Sequence, residues 1–444
     1  MLKTKIILFI AVITSLTAFS QKKWTIRECV DHALENNITI KQNKLNIDLQ
    51  EENVLSSKGS FLPTVNGNTG GNFGFGSTFD PVTQNRVATT TYGGSFGIST
   101  GVTIFNGYRN LNTYKQAQLG VKSSKLDLKK IENDISLFVV NGYLNILFAK
   151  ENLNVAKVQA SISQKQIERA KTQFEAGVKP KGDLLNAKST AANDEQNVIA
   201  KENALNLAFL NLAQLLQVDV LGFDVATIEV GSPSAVLLYN SPKEVYEKAL
   251  LNRPEIERAK LDIESADLSI NIAKSSYLPT VSANANASTN YGFNLDLPTG
   301  ASNKGFFNQI NDNLGYGVGF SVNVPIFSAY KTDASVNRSK INKLKSEVNL
   351  ENQKLQLQQT IEQAFLDSKA AAKTYEAAQI SLAAQKEAFK NAQELYNYGS
   401  MTLFDFDQVR NRLVTAESAM IRAKYDYVFK TKVLKFYYGE SILD

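Results

Sequence analysis

At 444 residues the chain can bury a large core or divide into several domains. One His, one Cys and three Met leave almost nothing for a His/Cys catalytic or metal-ligand constellation, and no paired carboxylates with a nucleophile or phosphate loop stand out, so an enzyme is not expected. The net charge of +5 arises with 43 acidic residues spread along the chain and no basic stripe with interleaved aromatics, which argues against nucleic-acid binding.

The N-terminus carries Lys3 and Lys5, an apolar run from Ile6 to Ile13, and Ala18-Phe19-Ser20 before Gln21. That order predicts a secretory signal peptide over residues 1–20, because the run is shorter than the roughly 20 residues of a spanning helix. No later apolar run approaches that length, so membrane contact is expected through strands or a surface. Cys29 reads as a small buried residue and His32 as a packing or surface residue of the first helix.

A helix is predicted over Thr25–Ser60, ending at KGSFLPTV, Lys58 to Val65; the junction returns as KSSYLPTV, Lys274 to Val281, an offset of 274 − 58 = 216. Each proline ends a helical pattern, having no N–H and forcing its predecessor extended. Beyond each proline, apolar and small polar residues alternate. Strands are predicted at about 65–76 and 92–104 in the first copy and about 281–297 and 314–325 in the second. Val281, Ala283, Ala285 and Ala287 interleave with Ser282, Asn284 and Asn286; Tyr316, Val318, Phe320 and Val322 interleave with Gly317, Gly319 and Ser321. The length and dyad pattern suit transmembrane barrel strands, with a soluble sandwich as the alternative. The first strand fits least well, with glycine at 67, 70, 71, 74 and 76.

Each hairpin closes on a matching phrase, IFNGY at 104–108 and IFSAY at 326–330, now offset by 326 − 104 = 222. The register then holds through Gly177 and Gly399, Asp183 and Asp405. Long helices are predicted at about 108–177 and 329–399, without proline, each a rod of about 100 Å. Their seams step by threes and fours: Leu153, Ala156, Ala160, Ser163, Ile167, Ala170, Phe174, and in the second copy Tyr375, Ala378, Leu382, Gln385, Phe389, Ala392, Tyr396. Helices of about half that length are predicted at 184–217, 404–438 and Pro242–Tyr277, so two in tandem match one rod. The chain thus reads as two repeats, 21–240 and 241–444. Narrow seams point to a closed ring of helices, and four strands are too few to close a barrel, whose smallest forms have about eight. Oligomerisation is expected, as a dimer or a trimer.

This duplicated order resembles the TolC family of bacterial outer membrane efflux proteins over essentially the whole mature chain, carried by Phe61-Leu62-Pro63-Thr64, the IFNGY phrase, Phe174-Glu175-Ala176-Gly177 with the following aspartate, and the opening Trp24-Thr25-Ile26-Arg27-Glu28. The resemblance implies a mixed, mostly helical fold assembled as a homotrimer, with a 12-stranded β-barrel in outer membrane lipid continued by a periplasmic α-helical barrel. It implies a passive export duct of a tripartite efflux or type I secretion system, with a periplasmic adaptor protein, an inner-membrane pump and no cofactor. The adaptor contact is implied at Gly177, Val178, Lys179 and Pro180 and at Gly399, Ser400 and Met401. The family's tyrosine-to-aspartate gate link falls on Tyr396 and Asp183. Its arginine link is missing, since Met401 and Gly182 occupy those positions, and its aspartate ring keeps Asp405 but has Gln408 three residues on, with Asp407 one place early. Helix capping is the plainer reading of Asp183 and Asp405, and seam packing that of Tyr396. A structural or adhesive coiled-coil protein without transport is the alternative function.

Overall fold

The computed structural model describes residues 23–80, 84–228, 239–297 and 301–442; the predicted export signal, residues 1–20, lies outside them. The chain divides into two compact units, each drawing on both sequence repeats. One holds the described residues of 1–44, 126–257 and 351–444, the other 45–125 and 258–350.

In the first unit, β1 (Lys23–Trp24) pairs in parallel with β4 (Asp224–Val225). Tyr143, fully buried, donates its hydroxyl to the Ala226 carbonyl at 2.7 Å beside this pair. Helix α1 (Ile26–Asn36) opens in a capping box, where the Thr25 hydroxyl accepts from the Glu28 N–H and the Glu28 carboxylate accepts from the Thr25 N–H. Its buried face, Cys29, Val30 and Ala33, packs on Val139, Val140 and Leu212. Cys29 is thus a core residue, its thiol pushed up to about 12 by burial. His32 sets its ring edge-on to Trp24 at 5.1 Å, a packing role.

The helices predicted as single pieces over Thr25–Ser60 and Pro242–Tyr277 are each broken. Helix α1 gives way to α2 (Ile38–Gly59) at Asn37, whose buried side chain accepts from the Thr39 N–H and donates to the Leu215 carbonyl. Helix α5 (Pro242–Asn252) gives way to α6 (Pro254–Lys274) at Arg253, held extended by the following proline. Arg253 is itself buried, stacked 4.0 Å from the Phe436 ring and bonded to its carbonyl. The two breaks are 253 − 37 = 216 residues apart, the offset of the repeat.

The long helices match across the copies: α3 (Arg109–Glu175) and α8 (Lys331–Asn397) have 67 residues each, and α4 (Lys181–Leu216) and α9 (Leu403–Tyr438) have 36 each. The second-copy seam is found as predicted, with Tyr375 and Ala392 buried and the intervening seam positions partly covered. The first-copy seam is partly displaced. Ala156, Ser163 and Ala170 are buried, but the buried positions that alternate with them are Asn152, Gln159 and Gln166, while Leu153, Ala160 and Ile167 lie half-exposed. A 3.5-residue period built on polar residues escapes a search for apolar ones.

In the second unit an antiparallel sheet runs in the order β2 (Thr64–Asp80), β3 (Asn85–Asn106), β5 (Thr280–Asn294), β6 (Gly315–Asn323). The first hairpin is longer than predicted, because its ladder continues without a break from Thr64 opposite Gly101 to Phe79 opposite Arg86. Strand β5 stops at Asn294, three residues early, where the Asn294 side chain accepts from the Asp296 N–H and turns the chain. Strand β6 ends before Pro325, which has no N–H to give to a ladder.

Pairing of β5 with β6 ends at Ser288 opposite Gly315, leaving the last part of β5 without a strand partner on that side. A short helix in the intervening loop, α7 (Phe306–Asp312), covers that edge. Gln309 accepts from the Gly292 N–H at 2.8 Å, Asn313 donates to the Asn290 carbonyl, and Asn303 bonds both backbone groups of Asn294. Where the sheet passes into α3, Gly107 and Tyr108 are both left-handed (φ 65° and 64°), as are Ala329 and Tyr330 before α8. A Cβ on Gly107 would lie 2.7 Å from the Ser275 carbonyl oxygen, so glycine is required there.

Candidate functional site

Two surfaces carry the predicted function, one in each unit. The first is the sheet. Residues directly opposite across a ladder share a face. The register therefore puts Val65, Ile98 and Ala287, with Tyr316 beside them, on the same side, together with Val318 and Phe320. Val318 and Phe320 are 78% and 73% exposed in the single chain. Strand β2, the weakest match by sequence, joins this face through Val65, Phe73 and Phe75, with its glycines spread over both sides. Phe73, Tyr92 and Phe293 form a stacked row over three strands, with centroids 5.6 and 4.9 Å apart, the make-up of an aromatic girdle. The opposite side holds Asn66, Asn68 and Asn72, then Ser95 and Ser99, then Asn284, Asn286 and Asn290, then Gly317 and Gly319. One face suits hydrocarbon and the other water. No helix among the described residues is long and apolar enough to cross a membrane.

The second surface is the pair of helix turns, 176–180 and 398–402. Both long helices end in Schellman turns: the Val178 N–H donates to Gln173 and the Ser400 N–H to Leu395, across left-handed Gly177 and Gly399. Gly177, Val178, Pro180, Gly399 and Ser400 are exposed, and Lys179 and Met401 half-buried. Their glycines terminate helices, and their exposure leaves the turns available for contact.

Neither Asp183 nor Asp405 caps its helix, as the plainer reading expected. Pro180 occupies the cap of α4 and Thr402 that of α9, and each aspartate is the third helical residue. Thr402 accepts from the Asp405 N–H and donates its hydroxyl to the Asp405 carboxylate at 2.7 Å. An acidic group in the first turn still gains from the helix dipole. Asp405 and Gln408 lie on one exposed stripe of α9, whereas Asp407 turns inward.

Tyr396 sits at the centre of the cluster. Its ring stacks on Phe406 at 4.8 Å and lies 4.7 Å from the Arg169 guanidinium, above a small core of Ala170, Ala187 and Leu403. Burial raises its hydroxyl above the ordinary range, Arg169 opposes that, and Asp407 and Asp183 add to it. Among the described residues no hydrogen bond joins the Tyr396 hydroxyl to Asp183, though the two are close enough to feel each other's charge. Arg169 donates to the Tyr396 and Asn397 carbonyls at 3.2 and 3.0 Å and to the Asn397 side chain.

One turn further along α9, Arg410 is buried (side chain 3% exposed) between two carboxylates, 3.1 Å from Asp194 of α4 and 3.7 Å from Asp407. Desolvation pushes Asp407 above the ordinary carboxylate range, Arg410 pulls it down and Asp194 pushes it up. A folded-state pKa above the unfolded one contributes stability that is present at low pH and lost as pH rises through the raised value. The thermal midpoint of the parent relative to Asp407→Asn should therefore fall as pH rises above the ordinary carboxylate range, read by circular dichroism. Equal midpoint differences at acid and neutral pH would show that its surroundings do not raise Asp407.

Sequence reading missed Arg169, Asp194 and Arg410. The i, i+3 spacing of Asp407 and Arg410 was the one local signal, since an arginine on the buried side of a helix needs a partner; Arg169 meets Tyr396 and Asn397 only through the fold.

The sequence profile of the family described as "Outer membrane efflux protein" matches residues 29–217 and 245–440, one segment in each repeat. The chain belongs to the outer membrane efflux protein family. It is 23% identical over 421 residues to the outer membrane efflux protein BepC of Brucella suis, spanning 95% of this chain and 86% of BepC. It is 21% identical over 369 residues to the outer membrane protein TolC of Escherichia coli K12, spanning 76% and 73%. The fold matches the Campylobacter jejuni CmeC outer membrane channel with a TM-score of 0.76 at 20% identity, covering 93% of this chain and 85% of that one. This efflux protein is an outer membrane channel that extends into the periplasm, in a family of channels and not of enzymes, serving tripartite efflux and type I secretion systems.

Proposed function

We propose that this outer membrane efflux protein works as a homotrimer. Its 12 strands would close one barrel in outer membrane lipid, and its paired repeats, 21–240 and 241–444, would supply the helices of a periplasmic tunnel. The observation that carries this reading is a four-stranded sheet whose edges, β2 and β6, have no further strand partner among the described residues, and which has one predominantly apolar face. Four strands cannot close, and so broad an exposed apolar face calls for lipid or a partner against it. The duct is passive and is gated at the helix turns by Asp183, Tyr396, Asp405 and Asp407, with Gln408 in place of a second ring aspartate. The exposed turns at Gly177–Pro180 and Gly399–Met401 meet a periplasmic adaptor, and through it an inner-membrane pump.

Single-channel recording in planar bilayers tests the duct. The parent should insert and conduct weakly, and Asp183→Ala should conduct several-fold more, as expected where a closed population is released. Absence of insertion or current from both proteins would favour a structural coiled-coil role.

A further inference from the structure

We propose that Arg169 is the latch of this gate, a role that rests on the duct reading above. The family's arginine link has no counterpart here, because Met401 and Gly182 fill its positions. Arg169 comes from the other side of the cluster. It leaves α3 and spans to the last turn of α8, taking two backbone carbonyls, one side-chain amide oxygen and the face of Tyr396. A planar five-donor group can serve all of these at once, which a lysine cannot. The Asn397 carbonyl is one that a helix C-terminus leaves to outside donors, the Tyr396 carbonyl is shared with the Gly399 N–H, and the dipole there favours a cation. Arg169 therefore binds the first-copy hairpin to the second, and any motion that separates the end of α8 from α3 must break every one of these contacts together. The repeat has no mirror of it: the position 222 residues on is Asn391.

The latch makes Tyr396 matter through its ring and not its hydroxyl, which separates it from a tyrosine-to-aspartate link. Full-length Arg169→Ala, Arg169→Lys, Tyr396→Phe, Tyr396→Ala and Asp183→Ala are compared with the parent in two measurements. The first is open probability in planar bilayers; the second is amide exchange at Tyr398, Gly399 and Ser400, whose N–H groups close the turn. Arg169→Ala and Tyr396→Ala should each raise open probability by about tenfold and speed exchange at those amides, as loss of charge-assisted bonds implies. Arg169→Lys should fall between, and Tyr396→Phe should match the parent; if the alanine variant fails to assemble, these two decide.

Parental open probability in Arg169→Ala overturns the latch, whether exchange is unchanged, meaning no clasp, or faster, meaning a helix cap without control of opening. Opening in Asp183→Ala alone leaves the duct standing and the latch refuted. Opening in Tyr396→Phe equal to that in Tyr396→Ala returns control to the hydroxyl. No current from any variant removes the duct reading and the latch with it.

Discussion

Arg410→Ala is expected to destabilise the helical unit by about 3 kcal/mol, the low end for removing one member of a buried ion group, because both carboxylates keep some water. The guanidinium is 3% exposed and is the charge that Asp194 and Asp407 share; without it two anions face each other across α4 and α9. One Asp407 oxygen and the Arg410 Nε are buried without a hydrogen-bond partner, so the cluster has nothing in reserve to offset the loss. Adding Asp194→Asn and Asp407→Asn to the same chain should recover most of the stability, since neutral amides in that space carry no repulsion. The measurement is thermal unfolding of the detergent-solubilised protein by circular dichroism. A single variant that melts with the parent would mean that the three charges are solvated and independent.

Val318→Arg should abolish membrane insertion, whereas Asn286→Arg should permit it. Val318 lies in the middle of β6 on the apolar face, in line with Ala285, Thr100 and Val65 across the sheet. An arginine on the lipid face near the bilayer midplane costs about 2–4 kcal/mol, and every copy in a closed barrel bears it. Asn286 is opposite Gly317 and Ser99 on the polar face, where a charge meets water and changes the current instead of the insertion. Flotation with lipid vesicles and planar-bilayer recording separate the two effects. Normal insertion of the Val318 variant would show that this face does not meet hydrocarbon.

The fold was legible wherever a rule of short range repeats itself. Period-two alternation marked three of the four strands clearly, proline marked the passage from helix to strand, and the doubled junction phrases marked the duplication. Strand β2 looked weak because its glycines hide the alternation; only its ladder to β3 shows Val65, Phe73 and Phe75 on one side. The breaks were not equally visible. Both were missed: Pro254 carried an unused signal for the one at Arg253, whereas Asn37 is an ordinary helix residue until the Leu215 carbonyl arrives to hold it. The first-copy seam was misplaced because burial there falls on Asn152, Gln159 and Gln166, which the hydrophobic pattern does not count. Helix α7 lay between two predicted strands and was not foreseen, since its purpose, covering the free edge of β5, exists only once the strands have paired.

The site divides in the same way. Asp183 and Asp405 could be paired by the 222-residue offset, but that Asp405 and Gln408 share an exposed stripe of α9 came only with the structure. The contacts that hold the turns together span more than 200 residues, from Arg169 to Asn397 and from Asp194 to Arg410, and no local pattern encodes them. A physical clue did exist: arginine carries a charge that burial must satisfy, so each inward arginine marks an unseen partner.

Arg169 has Asn391 where symmetry would repeat it. A duplicated chain could have fastened itself with a hook on both halves, or on neither; this one has a single hook on the first half and a single eye on the second. Each subunit is then one leaf with one catch, and an assembly of such leaves has as many catches as chains. If they release one at a time, current through the pore should climb in that number of steps, each of similar height, rather than in a single jump.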